Sequence, residues 1–376
     1  MNVAEKIAAA AKSSRFETPC YVYDIDTILE RVQLFYARLG TSLVMSLKAN
    51  PCLDMVLRVH HTETPIEVAS LRELNIANRC SRIYVNTPAM DRNLIAAALG
   101  ARATIILDSL AQLDDVAAMA GTRSVKPLML RLNACVLERY QPLPASFRPD
   151  QFGMDWATAL AAVDRIRASD GRFALAGFHL FTGSHSFARF AMPLAESAPA
   201  MIAELEERYG QPITTVNLGG GFSEHWEDET FDFPAYRRCL DRIPSRIEVL
   251  HESGRGLLAT SGAFLTAIIR TKMVGEHRYA ICDGGINQSF LLCRTENRFR
   301  KPLRPRVLRA AEPGGDTVRT ILVGNSCSRD DVIGEVDGPP LRVGDLCLFE
   351  DCGAYHSTYT VAPFLGLREA QHYVIP

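Results

Sequence analysis

A lysine stands directly after a short apolar run near the start of the chain. Lys48 follows Leu43 to Met45, which predicts that it lies at the carboxyl end of a buried strand. Burial disfavours the ammonium form and shifts the amine toward the neutral nucleophile that forms a Schiff base with an aldehyde. A single lysine at a strand end is more often a solvated loop residue, so further residues must decide between the two interpretations.

Two glycine-containing segments farther along the chain have the residue types of a phosphate site. Gly219 to Gly221 follow one apolar run, and Gly254 with Arg255 follow the next. Adjacent glycines let backbone N–H groups converge on an anion, and an arginine adds charge-assisted hydrogen bonds. A triple glycine alone is more often a turn. In an eight-stranded barrel, however, the loops after the seventh and eighth strands are the usual phosphate site, and together these segments predict one.

An aldehyde-reactive lysine and a phosphate site at one end of the same fold indicate pyridoxal 5'-phosphate. Glu252, at the end of the last apolar run, then has a function. A carboxylate that faces the pyridine nitrogen keeps that nitrogen protonated and makes the ring a stronger electron acceptor. Taken alone, Glu252 would be interpreted as a surface carboxylate.

The elements that must position these residues form a regular series. Eight short apolar or β-branched runs alternate with helix-length segments, and eight such units predict a (β/α)8 TIM barrel. The runs are Leu43 to Met45, Ile66 to Val68, Ile83 to Val85, Thr104 to Leu107, Leu128 to Leu132, Ala174 to Leu180, Thr215 to Leu218 and Ile247 to Leu250. A doubly wound open sheet has nearly the same pattern. The count of eight, and the polar or glycine-rich residues after the strands, favour the barrel.

The sequence changes character after Gly262. Strand-like runs such as Phe264 to Thr271 and Tyr359 to Val361 are separated by turn signals, which predicts a mostly antiparallel β-barrel domain. Tyr21 to Tyr23 form one more strand-like run before the first barrel strand, and we expect it to join the C-terminal sheet. The predicted domains are therefore 24–261 for the cofactor-binding barrel, and 1–23 with 262–376 for the β domain.

Composition restricts the partners. The chain has 41 lysines and arginines against 43 aspartates and glutamates, with a net charge of −2, so nothing favours binding to nucleic acid or to a membrane surface. Glu5, Lys6 and Lys12 interrupt the alanine-rich start of the chain, so it lacks the continuous apolar segment of a signal peptide. Ten cysteines are scattered without metal-ligand spacing, which predicts reduced thiols, no metal site and a cytoplasmic location.

At this point the chain resembles the fold type III pyridoxal-phosphate decarboxylases, the group of diaminopimelate, ornithine and arginine decarboxylases, whose barrel is of the alanine racemase type. The resemblance covers nearly the whole chain. Its motifs are Pro19 to Asp24, Lys48-Ala49-Asn50, Ala69 to Leu74, Phe152-Gly153-Met154, Gly219 to Phe222, Glu252 to Arg255, Asp283-Gly284-Gly285, Cys327 with Asp331, and Gly353-Ala354-Tyr355.

The resemblance implies roles for individual residues. Lys48 holds the cofactor covalently, Glu252 pairs with the ring nitrogen, and Arg131 approaches the cofactor. The phosphate is bound by Ser184, Gly219, Gly220, Gly221, Gly254, Arg255 and Tyr355. The family forms a head-to-tail homodimer in which a cysteine of one subunit completes the partner's site. Cys327 is that residue here, and it is expected to deliver a proton to the carbon after carbon dioxide leaves.

Three departures from the family pattern concern the substrate. Phe181 replaces the imidazole that stacks on the cofactor in related enzymes, and His179, two residues earlier on the same strand face, is expected to line the site. Ser328 and Arg329 replace the carboxylate that pairs with a distal ammonium group. The segment Ala362 to Gly366 resembles decarboxylases of carboxylate siderophore and aminoglycoside side-chain biosynthesis, which act on conjugated amino acids.

These departures predict a carboxylate-bearing substrate. Arginines suit carboxylates, and several lie in the region where the family recognises the far end of its substrate: Arg294, Arg298, Arg300, Arg304, Arg306 and Arg309. We expect one or two of them, Arg294 first, to bind substrate together with His179, Ser328, Arg329 and Asp331.

The sequence therefore predicts a pyridoxal-phosphate-dependent decarboxylase of an amino acid or amino-acid conjugate, for example a citryl-diamino acid intermediate of siderophore biosynthesis. Three alternatives stay open. The first is a diaminopimelate or ornithine decarboxylase, which Ser328 and Arg329 disfavour. The second is a racemase, which needs a weaker electron acceptor than Glu252 provides. The third is a regulatory homologue without cofactor, which the retained Lys48 and glycine loop disfavour.

Overall fold

The computed structural model describes residues 1–13, 16–143, 147–293, 296, 303–310 and 314–376. The chain divides into two compact units. One unit is Glu30–Gly256, and the other combines Met1–Leu29 with Leu257–Pro376. In the described ranges no helix is both long enough and apolar enough to span a lipid bilayer.

The secondary structure alternates regularly as far as residue 253 and is mostly β after it. The strands are β1 Cys20–Asp24, β2 Ser42–Ser46, β3 Ile66–Val68, β4 Ile83–Asn86, β5 Thr104–Leu107, β6 Val125–Leu132, β7 Phe173–Leu180, β8 Thr215–Asn217, β9 Glu248–Ser253, β10 Gly262–Val274, β11 His277–Cys282, β12 Arg306–Leu308, β13 Val318–Val323, β14 Val332–Gly338, β15 Leu346–Phe349 and β16 Gln371–Ile375. The helices are α1 Val3–Ser13, α2 Ile25–Leu39, α3 Leu53–His60, α4 Leu71–Ile76, α5 Arg92–Ala101, α6 Leu110–Ala120, α7 Trp156–Arg167, α8 Phe187–Tyr209, α9 Phe233–Leu240 and α10 Arg255–Leu258.

The unit Glu30–Gly256 is a closed parallel barrel of β2 to β9 in sequence order. Each of the eight predicted runs forms one of its strands. The barrel closes where β9 pairs with β2, with Val44 opposite Glu252 and Met45 opposite Ser253. Because an open sheet would leave both of these strands at an edge, the closure excludes the doubly wound alternative.

The barrel interior is apolar in its middle and polar toward the carboxyl ends of the strands. Val44, Tyr84, Ile106, Met129, Ala176 and Leu250 form a buried cluster. Two residues farther along five of the same chain segments stand Ser46, Asn86, Asp108, Arg131 and Glu252, all buried. Residues i and i+2 of a strand share one face, so the apolar cluster is followed by a polar set at the end where barrel enzymes place their sites.

Short polar caps start several barrel helices. The side chains of Ser70, Asp91, Ser109 and Asp155 each accept a backbone N–H from the third residue that follows. Such caps satisfy N–H groups that have no partner inside the helix. Helix α8 begins at Phe187, seven residues after β7 ends, and contains Pro193 and Pro199.

The second unit is built on a mostly antiparallel sheet of β1 and β10 to β16. The predicted strand at Tyr21 to Tyr23 does join it, because β1 pairs with β10 and with β16. The prediction of a strand at Tyr359 to Val361 is wrong, because these residues lie in a bend and a loop. The sequence does not predict strands β12, β14 and β16, because β12 is short and glycines, charges and polar residues interrupt the apolar pattern of the other two.

A buried histidine on the outer face of β9 predicts how stability depends on pH. The ring nitrogens of His251 lie 2.7 Å from Thr41 Oγ1 and 2.6 Å from Tyr236 Oη, and burial lowers the pKa of His251 from 6.5 to about 3. Between these values the unfolded chain binds the additional proton, so the free energy of unfolding falls as the pH falls from 6.5 toward 3, by at most about 1.4 kcal/mol per pH unit. Denaturant unfolding at several pH values should show a flatter profile for His251→Gln, and an unchanged profile would contradict this assignment.

Candidate active site

Lys48 lies at the mouth of the barrel. It is the second residue of a short 3-10 helix, Leu47–Ala49, which directly follows β2. Its Nζ is 3.0 Å from Glu67 Oε1, and Ser46 Oγ donates to Glu67 Oε2 at 2.6 Å. Glu67 is buried, whereas the side chain of Lys48 is 45% exposed. The burial expected from the sequence is therefore only partial, and a buried carboxylate orients the amine.

Glu252 lies inside the barrel between two polar side chains of other strands. Asn217 Nδ2 donates to Glu252 Oε1 at 2.8 Å, and His179 Nε2 lies 2.8 Å from the same oxygen. Burial opposes ionisation of Glu252, but His179, followed by Lys48 and Arg131, outweighs it and lowers the pKa of this carboxyl group. Glu252 is thus a carboxylate at neutral pH, as a partner for a protonated ring nitrogen must be.

Arg131 is buried near the same end of the barrel. Its Nη1 donates to Asp108 Oδ2 at 3.2 Å and to Asn86 Oδ1 at 3.4 Å, and its guanidinium group lies 4.4 Å from the centre of the Phe152 ring. The N–H of Gly153 donates to the same Asp108 oxygen. The motif Phe152 to Met154 therefore fixes the orientation of Arg131.

The glycine loop after β8 has the close backbone approach that a phosphate cradle needs. Gly219 and Gly221 have φ values of 68° and 86°, which favour glycine. A Cβ atom at Gly220 would overlap the backbone oxygen of Glu252, and one at Gly221 would overlap Gly183 and Ser186. Side chains are thus excluded from the cradle, and the residues present fit the phosphate of pyridoxal phosphate.

The loop after β7 packs on this glycine loop. Phe187 N–H donates to the Gly221 carbonyl oxygen, and Ser186 Oγ donates to that of Gly183. Phe181 is partly buried at the start of the loop, and Ser184 is exposed in its turn. The structure brings both predicted residues to the mouth of the barrel beside the glycines.

Arg255 begins the short helix after β9 and is engaged in an ion pair. Its Nη1 lies 2.9 Å from Glu224 Oε1, and His185 Nδ1 lies 3.7 Å from Glu224 Oε2. Burial opposes ionisation of Glu224, but its backbone hydrogen bond, Arg255 and His185 together lower its pKa. This ion pair holds Arg255 beside the glycine loop.

The predicted residues of the β unit lie in two loops. Cys327 is exposed in the loop between β13 and β14, with Ser328 half-buried and Arg329 exposed beside it. Tyr355 follows β15 with a φ of 66°, which is unusual for a bulky residue and typical of functional positions. Its carbonyl oxygen accepts the N–H groups of Thr358 and Tyr359.

The side chain of Asp331 has a structural role, whereas the sequence predicts a substrate contact for it. It is buried, its Oδ1 accepts the N–H of Ile286 at 2.9 Å, and its Oδ2 accepts the N–H of Ser326 at 3.0 Å. Both oxygens are used to join the Cys327 loop to the segment after Asp283. Asp331 therefore organises the loop that carries Cys327.

Three arginines expected near the substrate are paired within the β unit. Arg304 contacts Glu335 and Asp337, Arg306 lies 3.7 Å from Glu350, and Arg309 lies 3.2 Å from Asp345. These ion pairs give the three arginines a structural role within the β unit. Arg294, Arg298 and Arg300 lie outside the described residues.

Sequence reasoning missed three residues that the barrel brings to the site. Glu67 contacts Lys48, Asn217 contacts Glu252, and Asp108 contacts Arg131. Each stands within two residues of the carboxyl end of a strand: Glu67 is the second of three residues in β3, Asn217 ends β8 and Asp108 follows β5. A polar residue among apolar ones was the available signal, but the partners come from distant parts of the chain.

A phosphate cradle, a mouth lysine and a buried carboxylate on one parallel barrel define a pyridoxal-phosphate enzyme. Residues 25–267 match the family model described as pyridoxal-dependent decarboxylase, pyridoxal binding domain. The chain belongs to this family. It is a pyridoxal-phosphate-dependent amino acid decarboxylase of fold type III, as the resemblance predicted.

Relatives along most of the chain have this activity in their names. The L-glutamyl-[BtrI acyl-carrier protein] decarboxylase of Niallia circulans is 25% identical, over 95% of this chain and 88% of the relative. The diaminopimelate decarboxylase of Deinococcus radiodurans is 27% identical, over 93% of this chain and 89% of the relative. Diaminopimelate decarboxylase from Helicobacter pylori, solved with L-lysine, is 20% identical and shares the fold with a TM-score of 0.81, over 98% of this chain and 94% of that chain.

Proposed function

We propose that this decarboxylase removes the α-carboxylate of an amino acid joined to a larger, carboxylate-bearing group, such as a citryl-diamino acid of siderophore biosynthesis. The observation that supports this most is the sequence after Cys327. Ser328 and Arg329 offer no carboxylate to a distal ammonium group, and Asp331 is occupied by two backbone N–H groups. The relative that acts on a glutamyl group on a carrier protein supports a conjugated substrate.

The residues of the barrel would divide the work of binding and orientation. Bound pyridoxal phosphate supplies the acceptor for the electron pair of the broken carbon–carbon bond. Lys48 would hold the cofactor and is oriented by Glu67, while Gly219 to Gly221 with Arg255 would bind its phosphate. Glu252 would keep the proton on the ring nitrogen. We assign the stacking contact to Phe181 and further phosphate contacts to Ser184, Gly254 and Tyr355.

Cys327 would act in the site of a partner subunit. We propose a head-to-tail homodimer in which Cys327 protonates the α-carbon, and its exposure on a loop fixed by Asp331 supports this role. Mixing Lys48→Ala with Cys327→Ala subunits should then restore about a quarter of the wild-type activity, since half of the random dimers hold one intact site. Failure of the mixture to recover activity, with exchange confirmed by mass, would contradict a shared site.

A panel of substrates tests the proposed specificity. Released carbon dioxide should be measured with citryl-diaminopropionate, γ-glutamyl-phosphopantetheine, meso-diaminopimelate, L-ornithine and L-lysine. We expect kcat/KM for a conjugate to exceed that for ornithine and lysine by about 100-fold or more, equivalent to about 2.7 kcal/mol. Preference for diaminopimelate or ornithine would instead establish a basic amino acid decarboxylase.

We propose a cytoplasmic location from the state of the cysteines. All ten are free thiols, which is typical of proteins in a reducing compartment. A cytoplasmic location agrees with this state and would be tested by fractionation.

A further inference from the structure

A fully buried histidine lies against Glu252 in the barrel interior. His179 is the last residue but one of β7 and lies two residues before Phe181. It is 0% exposed, and its Nε2 lies 2.8 Å from Glu252 Oε1. Strands β7 and β9 are not neighbours, because β8 pairs with both of them. The contact therefore passes across the inner face of β8, and His179 points into the barrel.

Asn217 of β8 acts on the same oxygen. Its Nδ2 donates to Glu252 Oε1 at 2.8 Å, and its Oδ1 accepts the N–H of Gly219 at 2.9 Å. One amide thus joins the carboxylate to the first glycine of the phosphate loop. Within the described part of the chain Oε2 of Glu252 accepts no hydrogen bond, so the carboxylate is held by Oε1 and has Oε2 left for a ring nitrogen.

The effect of His179 is chiefly electrostatic. Neither of its ring nitrogens makes a hydrogen bond of good geometry, although Nε2 is close to Oε1. Burial would favour the neutral acid at Glu252, and His179 is the foremost of the groups that oppose it, ahead of Lys48 and Arg131. Lys48 and Arg131 are themselves paired with Glu67 and Asp108, whereas the Nε2 atom of His179 lies 2.8 Å from Glu252.

We propose that His179 is a positioning residue, which holds Glu252 ionised and in one orientation for the ring nitrogen of the cofactor. The proposal rests on the role proposed for Glu252 and replaces the substrate contact expected of His179. It also gives different functions to two residues on the same face of this strand end. Phe181 lies at the mouth, whereas His179 lies deeper, beside the carboxylate that governs the electron demand of the ring.

The two roles for His179 predict different kinetics. Without the imidazole 2.8 Å away, Glu252 takes up a proton at higher pH and the ring nitrogen of the cofactor loses its anionic partner. The kcat of His179→Phe should therefore fall about ten-fold or more, with KM changed less than about two-fold. A residue that only binds substrate would raise KM and leave kcat nearly unchanged, and that result would overturn the proposal.

A titration of the bound cofactor tests the proposal without turnover. The absorbance of the holoenzyme should be followed from neutral to acid pH in the absence of substrate. In His179→Phe and His179→Gln the acid transition should move upward by about one to three pH units, because a buried carboxyl group that loses a close polar partner is ionised less readily. An unmoved transition in folded holoenzyme would contradict the proposal, and the glutamine variant, which keeps a polar side chain of similar length, serves if the phenylalanine variant does not fold.

Two further variants make the result specific. His251→Gln removes an equally buried histidine from the outer face of β9 and should leave the acid transition in place. In a Glu252→Gln background, His179→Phe should have no additional effect on the transition, because the two residues act as one unit. If Glu252→Gln alone leaves the spectrum and its titration unchanged, the role of Glu252 itself is wrong, which distinguishes that failure from a failure of His179.

Discussion

Replacement of Lys48 by alanine is expected to lower decarboxylase activity by a factor on the order of 10³ or more. In this variant the amine that we propose as the attachment point of the cofactor is absent, and Glu67 is left as a buried carboxylate without the ammonium partner 3.0 Å away. Lys48→Arg should be nearly as inactive, because a guanidinium group keeps the charge but is not a nucleophile at neutral pH. Steady-state release of carbon dioxide by purified, cofactor-loaded protein measures the effect.

A second lysine provides the matched control for this prediction. Lys272 is exposed on β10 in the β unit, and Lys272→Ala should keep activity within about two-fold, as surface substitutions usually do. Equal losses in both variants would indicate a general effect on folding. Activity in Lys48→Ala above about a tenth of wild type would mean that another group does this chemistry.

Replacement of Gly220 by alanine is expected to damage the phosphate cradle. The added methyl group would overlap the backbone oxygen of Glu252, so β8 and β9 must move apart at the point where Glu252 N–H donates to the Gly219 oxygen. We expect the free energy of unfolding to fall by about 1–3 kcal/mol. The dissociation constant for pyridoxal phosphate should rise about ten-fold or more, equivalent to about 1.4 kcal/mol.

A glycine with open surroundings is the control for the added methyl group. Gly100 lies in α5 and a Cβ atom there would meet no atom within 4 Å. Gly100→Ala should therefore be neutral or stabilising by up to about 1 kcal/mol, with unchanged affinity for the cofactor. Fluorescence titration with pyridoxal phosphate and thermal unfolding measure both variants, and equal affinities would contradict the cradle.

The barrel could be predicted from the sequence because each strand carries its own signal. Runs such as Thr104 to Leu107 are apolar and bounded by helical segments, so local pattern suffices to find them. The residues after strands, Lys48 and Gly219 to Gly221 above all, could be found in the same way. Strand β16 could not, since it has only three apolar residues and is recognised through its pairing with β1.

The contacts inside the site depend on the closed barrel. Arg131 and Asp108 are 23 residues apart in the chain, and His179 and Glu252 are farther apart still. No local pattern tells that His179 meets a carboxylate rather than a substrate, or that Asp331 accepts two backbone N–H groups. Pairings of this kind are decided by strand register, and a shift of one residue would turn each side chain to the opposite face.

The most direct test of the account is to trap the cofactor on the protein. Holoenzyme should be reduced with borohydride, digested and examined by mass spectrometry for a pyridoxyl-phosphate adduct. We predict one modified peptide, with the adduct on the ε-amino group of Lys48 and no adduct in Lys48→Ala. Attachment to another lysine, or no adduct from fully loaded enzyme, would contradict the central claim that Lys48 holds the cofactor.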